Sequence, residues 1–422
     1  MFSTKTYPSG LRLLTIPVKE VPSVSVLVLV RTGSRYEEEK TNGLAHFTEH
    51  MLFQGNKKWP SKLALSTAID EVGAEFNGMT GKEYTGYFVK AESTHLELAL
   101  SILSEMLTHS NFANEQIERE KPVIVEEIHY RQDMPQVAVG DMIMEQVFMG
   151  HPLGLSTAGE KEAVTKFTRK DFLDFHANQY VSQKTIVVVA GKFGENNIKS
   201  QVEAYFKDLK IGSKTAPISW IKQKNNLTRI AFKEKSTDQT HFCLGITAYP
   251  RQSPQRYAQA LLNTVLGSGI SSRLFQKIRE EKSLAYYVDS DIDTFFDTGL
   301  FTVSAGVNNV KFENALEAVF EELEKIKKPD DLKQKELRKA KDYLRGKLVL
   351  RLEESLDQAM FFGSQWLLES QLRTVGQIIK EVEKVTIEEI QQAAKEIFKR
   401  EGFYLSVVGK SIDRGKVEKI LE

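Results

Sequence analysis

The two halves of the sequence repeat one strand-and-helix pattern. The segment Thr85–Ala91 reads Thr-Gly-Tyr-Phe-Val-Lys-Ala, the segment Thr298–Ala305 reads Thr-Gly-Leu-Phe-Thr-Val-Ser-Ala, and a helical pattern follows each. Thr298 lies 213 residues after Thr85, about half of the 422-residue chain. A period of this length is too long for a solenoid repeat and is typical of a duplicated domain. We therefore expect two similar halves rather than one core.

A polar stretch in the middle of the chain is the expected linker. It covers Ile211–Asn226 and contains Pro217 and several Lys, Asn and Gln residues. The predicted domains are 1–218 and 219–422. Each half mixes strands and long helices without strict alternation, which favours an α+β fold with helices packed against a mainly antiparallel sheet. Two such domains are expected to face one another across a groove.

Residue patterns also predict individual elements. The β-branched and Leu-rich runs Leu11–Pro17 and Val24–Arg31 indicate a hairpin-like pair of strands near the start of the chain. Good helix formers fill Leu44–Phe53, after an Asn-Gly pair and before a glycine, which predicts a helix there. The Ile and Val run Thr185–Ala190 predicts a buried strand.

Composition excludes several classes of protein. Lys plus Arg and Asp plus Glu both total 57, so net charge gives no reason to expect a nucleic-acid or membrane partner. The single cysteine, Cys243, excludes an internal disulfide and a multi-cysteine zinc site. No apolar run reaches the ~18 residues of a membrane span, and the first residues lack a targeting pattern. A cytoplasmic protein is expected, although a chain that had lost a targeting peptide would look the same.

Two histidines on the predicted helix 44–53 are candidate metal ligands. His46 and His50 lie four residues apart and so share one helix face, where both imidazoles can reach one cation. Glu49 lies on the neighbouring edge, where a carboxylate can act as a base. A catalytic zinc ion normally takes three protein ligands and a water, so a third ligand must come from elsewhere in the chain.

The pattern His46-Phe47-Thr48-Glu49-His50 has the inverted order of the common metallopeptidase signature. The sequence resembles the pitrilysin family of zinc metallopeptidases over nearly its whole length, in particular short members such as the subunits of mitochondrial processing peptidase. In that family the third ligand is a glutamate about 76 residues after the second histidine, with another acidic residue seven positions earlier. Here 76 residues separate His50 from Glu127, and Glu120 precedes Glu127 by seven. The resemblance implies zinc held by His46, His50 and Glu127, with Glu120 orienting a ligating histidine.

Spacing alone leaves Glu126 as an alternative ligand. Glu120 and Glu127 are two helical turns apart and share a face, whereas Glu126 points about 100° away. Pro122 lies between the two positions and could kink or restart the helix. The helical registry favours Glu127.

Two further segments resemble the peptide-binding parts of that family. The stretch Glu75–Thr85 is similar to an edge strand that pairs with the substrate backbone, with Gly78 where alanine is usual. Arg279 and Tyr286 are seven residues apart, like the family pair that contacts the substrate carbonyl or the oxyanion. The substrate-binding residues expected from this resemblance are Asn77, Gly78, Met79 and Thr80.

The second half cannot hold a copy of the metal site. When the halves are aligned at Gly55 and Gly267, the three metal-motif positions become Ala258, Leu261 and Leu262. None of these side chains can bind a metal ion. One half is therefore expected to bind metal and the other to help bind peptide.

The resemblance implies a zinc endopeptidase with one Zn²⁺ per chain and Glu49 as general base. Its expected substrates are peptides or unfolded polypeptides, which it would hydrolyse in an enclosed chamber. Family members of this length build that chamber from two chains. Because this chain carries both the metal motif and the Arg279/Tyr286 pair, a homodimer is expected rather than a heterodimer.

Other interpretations stay open at this stage. The same fold supplies non-catalytic core subunits of respiratory complexes, although these usually lack intact ligands. A processing peptidase for basic presequences would share the chemistry and differ in substrate. By themselves, Gly78 and Gly81 would suit an ordinary hairpin turn, and Arg279 would suit an ion pair on the surface of a helix.

Overall fold

The structure is a computed structural model that describes residues 2–213, 216–221 and 229–422. Residues 214–215 and 222–226, parts of the predicted linker, lie outside the described residues. The chain divides into two compact units. The first consists of Met1–His129, Leu155–Ile218 and Leu350–Arg373, and the second of Tyr130–Gly154, Ser219–Val349 and Thr374–Glu422.

The described residues form eleven strands and fifteen α-helices. The strands are β1 (Ser3–Thr6), β2 (Arg12–Pro17), β3 (Ser23–Val30), β4 (Glu75–Thr80), β5 (Thr85–Glu92), β6 (Thr185–Gly191), β7 (Ile230–Glu234), β8 (Gln239–Ala248), β9 (Ala285–Thr294), β10 (Gly299–Asn308) and β11 (Tyr404–Gly409). The helices are α1 (Leu44–Leu52), α2 (Lys62–Asp70), α3 (Leu96–Thr108), α4 (Asn114–Asp133), α5 (Pro135–Val147), α6 (Lys161–Val164), α7 (Arg169–Gln179), α8 (Ile198–Tyr205), α9 (Arg256–Gly267), α10 (Phe312–Lys325), α11 (Gln334–Arg351), α12 (Ser355–Glu369), α13 (Val375–Lys384), α14 (Ile387–Ile397) and α15 (Arg414–Leu421). Among the described residues, none of these helices is both long enough and apolar enough to span a bilayer.

The sheet of the first unit has the strand order β1-β2-β6-β3-β5-β4. All neighbours are antiparallel except β2 and β6, which run parallel. The prediction that β2 and β3 form a hairpin-like pair is wrong, because β6 lies between them. Every residue of β6 is buried, and a strand that is apolar on both faces belongs in the interior of a sheet.

The sheet of the second unit repeats this arrangement. Its order β7-β11-β8-β10-β9 corresponds to β2-β6-β3-β5-β4, and again only the first pair is parallel. The two echoed segments of the sequence, β5 and β10, occupy the same place, one strand from the edge. The predicted duplication and the mainly antiparallel α+β fold are confirmed.

Helices cover both faces of the first sheet. On one face, Val24, Val26 and Val28 join a large apolar core with residues of α1, α3 and α4. On the other, Leu27 and Leu29 pack in a smaller core with residues of α12. Alternate residues of β3 therefore serve two cores.

Two helices, α5 and α12, hold equivalent places in the two halves of the sequence. Each belongs to the other unit from the one in which the predicted domain division puts it. α5 follows α4 of the first unit in the chain but packs on β8 and β11 of the second sheet, while α12 packs on β3 and β6 of the first. The predicted division at 218/219 coincides with a boundary between the units, whereas residues 130–154 and 350–373 belong to the other unit. Both sheets offer an equivalent apolar face, so hydrophobic patterning cannot tell which sheet each helix will cover.

Gly363 permits α12 to approach the first sheet closely. A Cβ at this position would lie 2.9 Å from Val188 Cγ2 and 3.0 Å from Leu29 Cδ1. We expect Gly363→Ala to lower the free energy of unfolding by about 1–3 kcal/mol, because the added methyl overpacks this core. Gly346→Ala in α11 is the matched control, since its Cβ would meet nothing within 4 Å and should stabilise the helix by about 0.5–1 kcal/mol. Urea unfolding of both variants measures this, and equal stabilisation by both would contradict the close approach.

Candidate metal centre

The helix α1 presents different side chains to the core and to the candidate metal site. Phe47 and Met51, one turn apart, are fully buried in the apolar core of the first unit. His46 and His50 lie on another face, with ring centroids 4.7 Å apart. Packing of the first pair fixes the rotation of the helix and thereby the direction of the second pair.

The helix α4 brings Glu127 to both histidines. Glu127 Oε1 lies 3.5 Å from His46 Nε2, and Oε2 lies 3.6 Å from His50 Nε2. Glu126 instead points to His129, at 3.7 Å, with 79% of its side chain exposed. The helix continues through Pro122 without a break, so the registry argument applies across it.

His46, His50 and Glu127, here called the ligand triad, suit a zinc ion. One donor atom from each lies within 4.8 Å of the others. Ligand atoms at normal zinc distances in a tetrahedral site are about 3.3–3.4 Å apart, close to the spacing from each histidine to Glu127. Two imidazole nitrogens and one carboxylate oxygen are a donor set typical of catalytic zinc. Among the described residues, no other group of this kind is present.

Glu120 holds His50 in the orientation that the ligand triad needs. His50 Nδ1 donates a hydrogen bond of 3.0 Å to Glu120 Oε1, which leaves Nε2 facing Glu127. Gln54 Nε2 donates to the other oxygen of Glu120 at 2.8 Å. Burial lowers the pKa of His50, but the hydrogen bond to Glu120 and the nearby carboxylates outweigh this effect and raise it above its usual value.

Glu49 is a buried carboxylate beside the ligand triad. It is 8% exposed, and Thr80 Oγ1 donates a hydrogen bond of 2.8 Å to its Oε2. Burial raises the pKa of Glu49, against the opposing effects of the Thr80 hydrogen bond and of His50. A carboxyl group with a raised pKa can accept a proton more readily than an ordinary surface glutamate.

Glu37 supports the start of α1 and was not identified from the sequence. The residue before the helix is Gly43, which has no side chain to accept hydrogen bonds from the first turn. Glu37 provides the acceptors instead: Oε1 accepts from Ala45 N at 2.5 Å, and Oε2 accepts from Gly43 N at 2.9 Å and Asn42 Nδ2 at 3.2 Å. Burial raises the pKa of Glu37 to about 7. When glycine rather than Ser, Thr or Asp precedes a helix, the hydrogen-bond acceptor for the first turn must come from another part of the chain.

The predicted substrate-binding residues lie on β4, which is an edge strand among the described residues. Asn77, Gly78, Met79 and Thr80 pair with Phe88, Tyr87, Gly86 and Thr85 of β5, so one side of β4 bears no strand of this sheet. Gly78 is in the middle of the strand, whereas Gly81 follows its end. The structure thus places Gly78 outside any turn.

Arg279 and Tyr286 lie in the second unit. Arg279 is in a π-helical segment, Phe275–Glu281, with its guanidinium 4.7 Å from the ring centroid of Phe275. Tyr286 is on β9 and is 58% exposed. Single π-helical turns are frequent at functional sites.

The second unit has apolar residues where the first has its metal motif. Its helix α9 corresponds to α1 and carries Ala258, Leu261 and Leu262 at the aligned positions, all buried. These residues belong to the main core of the second unit. At these three positions the helix of the second unit contributes to packing.

Sequence comparisons match both halves of the chain to one peptidase family. Residues 12–161 match "Insulinase (Peptidase family M16)", and residues 166–344 match "Peptidase M16 inactive domain". A Bacillus subtilis protein named as the uncharacterized zinc protease YmxG is 31% identical over 411 residues, 97% of this chain and 99% of its own length. An uncharacterized zinc protease of Mycobacterium tuberculosis is 33% identical over 399 residues, 94% of this chain and 90% of its own.

Solved structures share the fold at lower identity. A protease from Helicobacter pylori has a TM-score of 0.90 and 24% identity, and the match covers 97% of this chain and 99% of the other. A Pseudomonas fluorescens structure described as a peptidase M16 inactive domain has a TM-score of 0.87 and 20% identity, with 98% of both chains covered.

Adjacent glutamates on α4 provide a matched test of the ligand triad. We expect Glu127→Gln to weaken zinc binding by on the order of 100-fold or more, because an amide oxygen replaces the anionic ligand. Glu126→Gln removes the same charge one residue away and should leave zinc affinity within about two-fold of the parent protein. Competition with a fluorescent chelator measures both values. Equal losses in the two variants would mean that general charge, rather than the geometry at Glu127, determines binding.

Proposed function

We propose that this chain, which belongs to the insulinase family of peptidases (M16), is a zinc-dependent endopeptidase that hydrolyses peptides or unfolded polypeptides. One observation carries the proposal: the ligand triad lies beside the buried, hydrogen-bonded carboxylate of Glu49. A metal site alone would suit a structural ion. A base next to a three-ligand site is the arrangement that metal-assisted hydrolysis requires.

The residues of the first unit support a defined order of proton transfers. When bound, Zn²⁺ supplies Lewis acidity to the attacking water and to the substrate carbonyl. Glu49 accepts a proton from that water and later returns it to the amine of the leaving peptide. Burial helps Glu49 to hold the proton between the two steps, since it disfavours the charged carboxylate. Glu120 keeps the Nε2 atom of His50 available as a ligand throughout.

Arg279 and Tyr286 are proposed to act on the substrate carbonyl and on the oxyanion that forms from it. This role rests on the family resemblance of their segment and on the chemistry of the side chains, since both can donate hydrogen bonds to a negative oxygen. The exposure of Tyr286 and the π-helical setting of Arg279 are consistent with contact to a substrate. Asn77, Gly78, Met79 and Thr80 are proposed to offer the free edge of β4 to an extended peptide.

The intact ligand triad favours an enzyme over a scaffold subunit of the same fold. A scaffold has no need for two histidine nitrogens and a carboxylate oxygen that converge on one point, whereas a catalytic metal site does. A strand that pairs with the substrate backbone does not select among peptide sequences. It therefore does not favour a presequence over any other peptide substrate.

Hydrolysis of an unstructured peptide mixture tests the proposed function. We expect the chain to cleave the peptides, to lose activity with a chelator and to regain it with zinc, with products read by mass spectrometry. Glu49→Gln should retain one Zn²⁺ per chain, because the ligand triad is unchanged, but lose turnover by about 10²–10⁴-fold, the usual contribution of a general base. Undiminished hydrolysis by Glu49→Gln would refute the base assignment, and a zinc-loaded parent protein that cleaves nothing would favour the scaffold.

We also propose a homodimer with one site per chain, which encloses the substrate in a chamber. Sedimentation of the purified protein should show a species of two 47.9 kDa chains that carries the peptidase activity. A strictly monomeric protein with full activity would contradict this proposal and leave the zinc chemistry untouched.

A further inference from the structure

The segment Gly33–Glu37 contacts two parts of the candidate site. Its first residues pair with the turn that follows the edge strand β4: Ser34 N donates to Gly81 O at 3.2 Å, and Arg35 N donates to Lys82 O at 2.9 Å. Its last residue accepts the hydrogen bonds from the start of α1 described above. One short segment thus touches both the strand and the helix of the site.

A buried ion pair reinforces the contact between this segment and the turn. Arg35 Nη1 donates a hydrogen bond of 2.7 Å to Glu83 Oε1, and the two side chains are 0% and 5% exposed. A Cβ added to Gly33 would lie 2.3 Å from Gly81 O and 2.7 Å from Lys82 O. The segment therefore lies directly against the backbone of the turn, and its first residue has no room for a side chain.

Close packing at the start of α1 explains why the hydrogen-bond acceptor for this helix comes from Glu37. Gly43 has a φ of 94°, and a Cβ there would lie 2.8 Å from the Cα of Gly159. A left-handed backbone packed against another backbone favours glycine, which offers no side chain to the first turn. Both oxygens of Glu37 are used: Oε1 accepts from Ala45 N, and Oε2 accepts from Gly43 N and from a side-chain amide.

We propose that Arg35 and Glu37 are positioning residues that hold the edge strand β4 and the metal-motif helix α1 at a fixed distance and angle. We call the segment Gly33–Glu37 the brace. The inference rests on the proposed peptidase function and deepens it. The brace connects the strand proposed to bind the peptide with the helix that carries two zinc ligands and the base, so it would align the bound peptide with them.

The brace adds a second connection to the direct contact between β4 and α1. Thr80 Oγ1 donates a hydrogen bond of 2.8 Å to Glu49 Oε2. Ala45, whose N–H the brace accepts, lies four residues before Glu49, about 6 Å along the helix axis. Two separated contacts resist pivoting of the helix on the strand better than one. Such resistance matters because a misplacement of about 1 Å can cost on the order of 100-fold in rate.

The two ends of the brace are expected to affect different measurements. His46 is the third residue of α1, so loss of the Glu37 hydrogen bonds would loosen the turn that carries a zinc ligand. Binding of Zn²⁺ would then have to include the ordering of this turn, and the affinity would fall by that cost. The contact with the turn after β4 involves no zinc ligand, so its loss should change hydrolysis without changing Zn²⁺ affinity.

The experiment perturbs each end of the brace separately. Glu37→Gln keeps the size of the side chain but replaces one acceptor oxygen with an amide group, which is itself a donor and would face donors. Gly33→Ala pushes the brace away from the turn after β4. The double variant Arg35→Met/Glu83→Met removes the ion pair without leaving a buried charge, and it should fold because such apolar replacements are often neutral.

Two controls match these changes. Glu39→Gln removes a carboxylate from an exposed position two residues further along the chain, and Gly194→Ala adds a methyl group that meets nothing within 4 Å. For each protein we would measure Zn²⁺ affinity by chelator competition, kcat and KM on one unstructured peptide, and thermal unfolding. Affinities and rates are measured well below the unfolding transition, so that loss of folded protein does not enter them.

We expect Glu37→Gln to weaken Zn²⁺ binding by about 10-fold or more. Gly33→Ala should bind Zn²⁺ within about two-fold of the parent protein but lower kcat by about 10- to 100-fold, with KM within about three-fold because the edge of β4 is unchanged. The double variant should lower kcat by about 3- to 10-fold, since the backbone hydrogen bonds to the turn remain. The two controls should match the parent protein.

Either of two results would overturn the brace: unchanged Zn²⁺ affinity in Glu37→Gln, or unchanged kcat in both variants of the β4 end. If Gly33→Ala does not fold, the double variant alone decides the second point. A lower unfolding temperature with unchanged affinity and kcat would assign the segment to stability alone and would equally overturn the proposal. Equal losses of Zn²⁺ affinity from both ends would indicate general loosening and would also contradict it.

Failure of the peptidase function itself has a different signature. The parent protein would then bind Zn²⁺ and cleave nothing. In that case the Zn²⁺ affinities of Glu37→Gln and Glu39→Gln would still decide whether Glu37 positions the start of α1.

Discussion

The candidate metal centre depends on side chains from two helices that are distant in sequence. Two histidines one turn apart on α1 cannot complete a zinc site, and the third donor is the side chain of Glu127 on α4, which reaches both of them. Both helices contribute to the same apolar core, through residues such as Phe47 and Ile124. The hydrophobic packing that stabilises the unit therefore also sets the distances between the ligands.

Each buried carboxylate around α1 has hydrogen-bond donors of its own. Glu37 accepts backbone N–H groups at the start of the helix, Glu49 accepts from Thr80, and Glu120 accepts from His50 and Gln54. Burying a charge costs several kcal/mol, on the order of the stability of a whole domain, unless such partners are present. Glu127 differs, because both of its oxygens face the two histidines. Three carboxylates thus shape the site, and Glu127 is the one proposed to bind a cation.

The duplication allows the two units to differ in what their equivalent helices do. In the first unit α1 carries the ligand triad histidines, and in the second α9 carries buried Ala and Leu side chains at the aligned positions. The strand order is the same in both sheets, so the fold itself does not require the metal ligands. Because α9 carries no metal ligands at these positions, the second unit can provide residues for other steps of hydrolysis. This is the role proposed for Arg279 and Tyr286.

The sequence by itself determined the duplication, the α+β class and the helix that carries His46 and His50, because these follow from repeats and local periodicity. Helical registry also separated Glu127 from Glu126, since that choice depends only on the 100° turn between neighbours. Tertiary structure alone decided that β6 separates β2 from β3 and that α5 and α12 cover the sheets of opposite units. In each case the chain had several equivalent apolar surfaces to pack against, and the pattern of apolar residues in the sequence does not show which of them it uses. Tertiary structure alone also decided the hydrogen bonds of Glu37, Gln54 and Thr80, because contacts between separate segments leave no local signature in the sequence.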